Sequence, residues 1–371
     1  FGFRPPPYPQ QGGAMSATAT RALCLACGLV AAARAARLAV PVPAEPGVVV
    51  AGIGNSGTTA VLKALQDLGM KYCSKHDLYG EPTWAHEHRE NHIHKLLYAS
   101  KGNLTVRGFK HNQDAFRDAV EWQKDVARQE VECLQKDFPS GMPEGSVWGF
   151  KEPHYTYLMP VMDEAFHGHT NYIIVARDPR DICSNWIQDQ FLIYGAFFNV
   201  RTTDVHDCYY FWASFWSMVL AAYDASPRFK IVRIEDLVLP DPRREEASLS
   251  ALRCALQHTG LQPSWSSLQS AQAQLYREGA ALFDLSADAE LLAAPPTVAR
   301  ERAERSLRGF HGHKAAYMGH HRHQDEAARR KLEQELAARM DFPVIHETML
   351  RLGYNTTNFG LLKPLSGSVC Q

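Results

Sequence analysis

The run Val48-Val-Val-Ala-Gly-Ile-Gly-Asn-Ser-Gly-Thr-Thr-Ala-Val-Leu-Lys-Ala-Leu constrains the fold of this chain more than any other segment. Its apolar, β-branched opening reads as a strand, and the apolar positions after Thr58 recur at helical spacing. The glycines at 52, 54 and 57 mark the turn between them. Glycine adopts torsions closed to other residues, so several backbone N–H groups can converge on one anion, joined by the positive end of the following helix. Gly54, Asn55, Ser56, Gly57, Thr58 and Thr59 are therefore the candidate anion seat, with side-chain donors on Asn55, Ser56, Thr58 and Thr59. Against the nucleotide-triphosphatase pattern G-x-x-x-x-G-K-[ST], Thr58 stands where the lysine belongs. Without that cation on the β- and γ-phosphates, ATP or GTP hydrolysis is disfavoured.

Further strands are expected at Val147–Phe150, Tyr172–Ala176 and Phe229–Ile234. Helical patterns fall at Thr58–Leu68, Tyr155–Phe166, Asp181–Gln190, Tyr209–Tyr223, Gln324–Met340 and Val344–Leu352. Strand alternating with helix implies an α/β fold with a parallel sheet covered on both faces, and ligands in such sheets sit at the carboxyl ends of the strands. Residues 239–309, rich in Ala, Ser, Gln and Arg and interrupted by prolines, read as outer helices and loops. The charge balance, 39 Lys+Arg against 40 Asp+Glu, offers no basic field for nucleic acid, so an anionic ligand needs a local site. Eight cysteines in 371 residues are too sparse for a disulfide scaffold and leave the redox compartment open.

Residues 1–45 read as a disordered or targeting segment: signal peptide, signal anchor or transit peptide. Up to residue 44 they hold four arginines and no acid before the carboxylate of Glu45. The apolar stretch Ala22–Ala33 spans about 18 Å as a helix, short of the ~30 Å bilayer core. The expected home is the secretory pathway or Golgi, with plastid and cytoplasm as alternatives. Asn103-Leu-Thr and Asn355-Thr-Thr become glycosylation sites only in the first case. A domain over 46–356 and a C-terminal tail over 357–371 complete the expected organisation.

The SGTT turn resembles the 5′-phosphosulfate loop of sulfotransferases that use 3′-phosphoadenosine 5′-phosphosulfate (PAPS). A second segment, Tyr172-Ile-Ile-Val-Ala-Arg-Asp-Pro-Arg-Asp-Ile-Cys-Ser-Asn-Trp, is similar to that family's strand-Arg-[DN]-Pro-x-Asp-helix signature. Trp148-Gly-Phe-Lys-Glu-Pro-His-Tyr, Lys230-Ile-Val-Arg-Ile-Glu-Asp-Leu and Phe310-His-Gly-His-Lys-Ala-Ala-Tyr resemble its lysine strand end, its late strand and its nucleotide-closing loop, which contributes Lys314. The resemblance spans residues 47–354 and implies a P-loop-type three-layer sandwich, a central parallel sheet flanked by helices. It implies that Arg177 holds the 3′-phosphate together with Ser184 or Asn185. The residues themselves agree: Arg177 ends a strand, Pro179 suits a first helical turn, and Asp178 can cap it. Arg180 is expected as a solvated surface charge.

Sulfuryl transfer needs an aligned acceptor, a base and charge stabilisation on the departing oxygen, with no metal required. Many members of the family place Lys or Arg where this chain has Asn55, so Lys151 is expected to supply that charge, aided by Asn55. His154 is the favoured base, since imidazole titrates near neutrality. Glu81 and His86 are alternatives, within a segment that also holds His76, Asp77 and Glu87. The expected acceptor is a glycan or small molecule, with tyrosyl hydroxyls and lipids left open. Neither the cluster from His86 to His94 nor Gly319–His323 reproduces a metal-protease spacing, so no metal is expected. The aromatic run from Tyr209 is expected mostly in the core, with Trp212 and Trp216 as candidates to border the acceptor. Two rivals stand beside the transferase: a catalytically impaired nucleotide-binding relative and a small-molecule kinase.

Overall fold

The computed structural model describes residues 39–54, 56–76, 81–82, 89, 91–97, 113–183, 194, 205–238, 245–257, 259–283, 343–356 and 361–370. Five parallel strands form the central sheet: β2 (Val48–Gly52), β4 (Gly149–Lys151), β5 (Asn171–Ala176), β6 (Phe229–Arg233) and β7 (Val369–Cys370), in the spatial order β4-β2-β5-β6-β7. The register places Val50 beside Lys151, Gly52 beside Val175 and Ala176 beside Arg233, so β2, β4 and β5 deliver their carboxyl ends to one edge. The α/β expectation holds, and all four expected strands form within two residues of their predicted bounds.

Alternation along each strand sorts the core into two layers. Val49, Ala51, Phe150, Tyr172 and Ile174 face helices α2 (Gln113–Asp137), α3 (Met159–Ala165), α5 (Val205–Tyr223) and α9 (Pro343–Leu352). Val48, Val50, Ile173, Val175 and Val232 face α1 (Thr58–Asp67), α6 (Ile234–Val238), α7 (Glu245–Ala255) and α8 (Trp265–Phe283). Each fully buried aliphatic side chain contributes roughly 1.5–3 kcal/mol relative to exposure, which makes the continuous apolar strands stable only between two helical layers. A short helix, α4 (Pro179–Cys183), follows β5, and a 3₁₀ segment, Pro153–Leu158, follows β4.

Two findings depart from the expected organisation. Inside the segment expected to lie outside the domain, β1 (Ala39–Val40) pairs antiparallel with β3 (Met142–Pro143), and the Trp148 indole donates to the Pro43 carbonyl at 2.8 Å. The expected tail at 357–371 supplies β7, the fifth strand. The six cysteines among the described residues form disulfides, Cys73–Cys133, Cys183–Cys208 and Cys254–Cys370. The helix expected at Gln324–Met340, the sequon at Asn103 and the segment 1–38 lie outside the described residues. Among the described residues no helix is long and apolar enough to cross a membrane.

Asp224 secures β7. Its carboxylate accepts from the hydroxyls of Ser366 and Ser368 and from Arg351, the last two at 2.7 and 3.1 Å. Burial raises the Asp224 pKa, but these donors outweigh it and hold the carboxyl below its ordinary value. A depressed folded value means the stabilisation is complete above the unfolded pKa of about 4 and is lost as pH falls through the folded value. Asp224→Ala is expected to cost about 1–3 kcal/mol in denaturant melts at pH 7 and to flatten the acid limb of the stability profile. An unchanged acid limb refutes this anchoring.

Candidate active site

The turn after β2 is shaped for close approach. Gly57 is the N-cap of α1 with φ +95°, a left-handed conformation that favours glycine, and a Cβ there would lie 2.7 Å from the Ile234 side chain. At Gly52 a Cβ would meet the Ser56 hydroxyl and the Val175 carbonyl, each at 2.7 Å. Among the described residues no side chain caps α1, and no acid occupies its first turn, so the positive end of its dipole is open to an anion. Ser56 Oγ is buried and has no hydrogen-bond partner among the described residues. A buried hydroxyl left unpaired costs about 1–3 kcal/mol, which a ligand acceptor at this position would recover. Thr58 is buried beside it and Thr59 is half-buried, whereas Asn55 lies outside the described residues.

β4 brings a second group of charges to the same edge. Lys151 is only 2% exposed, and its ammonium pairs with the Glu81 carboxylate. Arg89 donates to Glu152 Oε2 at 2.6 Å and lies 3.9 Å from Glu81. Burial raises the Glu152 carboxyl above its ordinary range, as does the Glu81 charge, while Arg89 and Lys151 oppose both. Glu152 also accepts the His154 N–H at 3.1 Å, capping the 3₁₀ segment, and the Thr156 hydroxyl ties that segment to the Gly52 carbonyl at 3.3 Å. His154 Nδ1 lies 3.0 Å from the Tyr194 hydroxyl. Lys151, Glu81 and His154, three residues singled out in the sequence, are thus joined by Glu152, which lies in the same motif as Lys151, and by Arg89 and Tyr194, which no motif announced.

β5 ends in the third group. Arg177 is buried, with Nε 3.7 Å from Asp181, and its carbonyl accepts the Trp212 indole N–H at 3.2 Å. Asp178 caps α4 as expected, accepting the Arg180 N–H at 2.9 Å. Arg180 is not a surface charge: it is fully buried, gripping Asp178 through Nε at 2.8 Å and a second nitrogen at 2.5 Å, and reaching the Asn355 carbonyl at 3.1 Å. A bidentate carboxylate is what lets a guanidinium leave water here. Glu235 accepts the Asp178 N–H at 2.8 Å and the Tyr354 hydroxyl at 3.1 Å, so the late-strand segment braces the arginine turn. Burial, then the Glu235 charge, pushes the Tyr354 phenol far above its usual pKa and keeps it a donor.

Trp212 and Trp216 are fully buried, in line with the core placement expected for most of the aromatic run. His76 is engaged by Glu130 of α2 at 2.6 Å. His92 stacks on Trp122 with ring centroids 4.8 Å apart, and His94 meets Tyr194 edge-on at 5.5 Å. Asp77, His86, Glu87, Ser184, Asn185, Lys314 and Gly319–His323 lie outside the described residues. A groove of about 420 Å³, lined by Lys124, Ala127, Arg128, Val131 and Phe166, lies by α2 and α3 and includes neither the residues of the loop after β2 nor Arg177 or Arg180.

No protein-family model matches the chain, and no curated protein does. Among solved structures it is similar to a sulfotransferase, STF9 of Mycobacterium avium, at 13% identity over 62% of this chain and 68% of that one, with a TM-score of 0.34. It is also similar to sulfotransferase STF1 of Mycobacterium tuberculosis H37Rv, at 16% identity over 65% and 73% of the two chains, with a TM-score of 0.33.

Proposed function

We propose that this protein is a sulfotransferase that moves a sulfuryl group from PAPS to a hydroxyl or amine of a carbohydrate or small metabolite. One observation carries the reading: the uncapped end of α1, with the orphaned Ser56 hydroxyl, opens at the strand edge that also carries buried Lys151 and Arg177. A cofactor with phosphates at both ends of an adenosine suits these residues. Backbone N–H groups of the loop and the hydroxyls of Ser56, Thr58 and Thr59 would hold the 5′ end, and Arg177 the 3′-phosphate. Ser184, Asn185 and Lys314 are assigned to the same ligand by resemblance. PAPS supplies the activated sulfuryl group.

Lys151 is assigned to charge stabilisation at the departing oxygen, with Asn55 as a neutral donor beside it. His154 is assigned to proton removal from the acceptor, its ring oriented by Tyr194. Glu81, held by Lys151, is the competing base. No residue here requires a metal for this chemistry. Three disulfides agree with residence in an oxidising compartment.

A second reading, nucleotide binding without transfer, draws on Asn55 and on the Lys151–Glu81 pair, which holds the proposed charge on a carboxylate. Sulfur-labelled PAPS with an acceptor panel separates the two. The transferase is expected to label an acceptor and release the adenosine bisphosphate. Calorimetric binding with no labelling of any acceptor supports the second reading, and the absence of both overturns the two together.

A further inference from the structure

One group of chemically able side chains lies outside the proposed site. Cys73, just past α1, is bonded to Cys133 on α2, and beside them His76 Nε2 lies 2.6 Å from Glu130 Oε1. The His76 and Glu130 side chains are 1% and 0% exposed. Glu130 Oε2 is buried with no hydrogen-bond partner among the described residues, an arrangement that packing alone does not favour. A structural disulfide needs no such pair next to it, and neither Cys183–Cys208 nor Cys254–Cys370 contributes to a cluster of this kind among the described residues.

We propose that Cys73, His76, Glu130 and Cys133 form a zinc-class metal site that becomes available when the Cys73–Cys133 bond is reduced. The ligand atoms of Cys73, His76 and Glu130 already lie within 4.8 Å of one another. A tetrahedral zinc with bonds of about 2.0–2.3 Å spaces its ligand atoms roughly 3.5 Å apart. Cys133 groups with Cys73 and Asp137, so once its bond to Cys73 is broken its side chain has to turn toward His76 and Glu130 to become the fourth ligand. The spacing is that of paired structural ligands: Cys73 and His76 lie three residues apart in one turn, and Glu130 and Cys133 lie three apart on one helix face. The Lys75 N–H already donates to Cys73 Sγ at 3.2 Å, a contact that would stabilise a thiolate. Asp137 is instead occupied by the Ser74 N–H and hydroxyl, both at 2.8 Å, and serves to orient the turn.

The electrons balance through a small-molecule thiol. Two thiol molecules give two electrons and two protons to the Sγ–Sγ bond and leave joined as their own disulfide; the two cysteine thiols then lose their protons to solvent as the divalent ion binds. The same four side chains therefore clasp α2 to the turn that follows α1 in either redox state, by a covalent bond or through a metal.

The full-length chain, reduced with a phosphine and titrated with Co²⁺ and then Zn²⁺, tests this. Expected are one equivalent of Co²⁺ with thiolate charge-transfer and tetrahedral visible bands, displacement by Zn²⁺, and no such bands for the oxidised chain. His76→Gln and Glu130→Gln, which leave both thiols in place, are each expected to weaken binding at least tenfold, and Cys73→Ser to abolish the charge-transfer band. Circular dichroism follows the fold throughout. Failure of the reduced wild-type chain to take an ion at micromolar concentration overturns the site, and so does wild-type affinity in both the His76 and Glu130 variants. Helix loss on reduction that the ion does not reverse counts equally against it.

Discussion

Arg177→Ala is expected to raise the Kd for the adenosine bisphosphate product by roughly a hundredfold, about 3 kcal/mol, the usual cost of deleting one partner of a desolvated, charge-assisted contact. The guanidinium is the group at the end of β5 assigned to the 3′-phosphate, and it lies among buried groups where water cannot replace it. Because Arg177 also faces Asp181 at 3.7 Å, its removal leaves a carboxylate buried without that charge, and some loss of stability comes with the loss of affinity. Arg177→Lys separates the two effects: it keeps a cation near Asp181 but loses the planar fork, so stability should recover more than affinity. Arg180→Ala is the control. Its guanidinium grips Asp178 and the Asn355 carbonyl, so the fold should weaken, while folded molecules bind more nearly as wild type does. Calorimetry showing equal affinity in Arg177→Ala and wild type defeats the assignment.

Lys151→Ala is expected to lower kcat about 10²–10³-fold with little change in KM, as befits a donor that acts mainly on charge developing in the transition state. Its buried position and its contact with Glu81 make it a group already removed from water, so it needs little reorganisation when the leaving oxygen gains charge. Glu81→Gln then distinguishes the bases. If His154 takes the proton, releasing Lys151 from its carboxylate leaves turnover within a few-fold of wild type, and the loss of rate in acid tracks an imidazole. If Glu81 is the base, the same substitution removes most of the rate. Single-turnover measurement of Lys151→Ala at wild-type speed would remove this lysine from the mechanism altogether.

The sheet and the loop were legible because their signals are local: an apolar β-branched run, glycines at a turn, and helical spacing directly after it. Other parts depend on partners distant in sequence. β7 is two residues long and becomes a strand only because β6 offers it an edge. The long helix α2 was not anticipated, since its buried stripe includes Gln123 and Glu130 and so breaks the apolar period. Arg180 looked like a surface charge because its bidentate partner, two residues earlier, was read as a helix cap alone; it is both. Glu152 adjoins Lys151 in the chain, but nothing in the local pattern of Arg89 or Tyr194 marks them as neighbours of Lys151 and His154. Their grouping follows from the way β4 and the 3₁₀ segment place residues far apart in sequence at one strand end.

The edge strand has a kinetic implication. Ser368 meets Asp224 across 144 residues, and Cys254 is bonded to Cys370 across 116. Loop closure over such distances forms slowly, so the sheet's last ladder is expected to assemble after its neighbours. Until it does, β6 presents an unpaired apolar edge, the kind of surface on which nascent chains associate with one another.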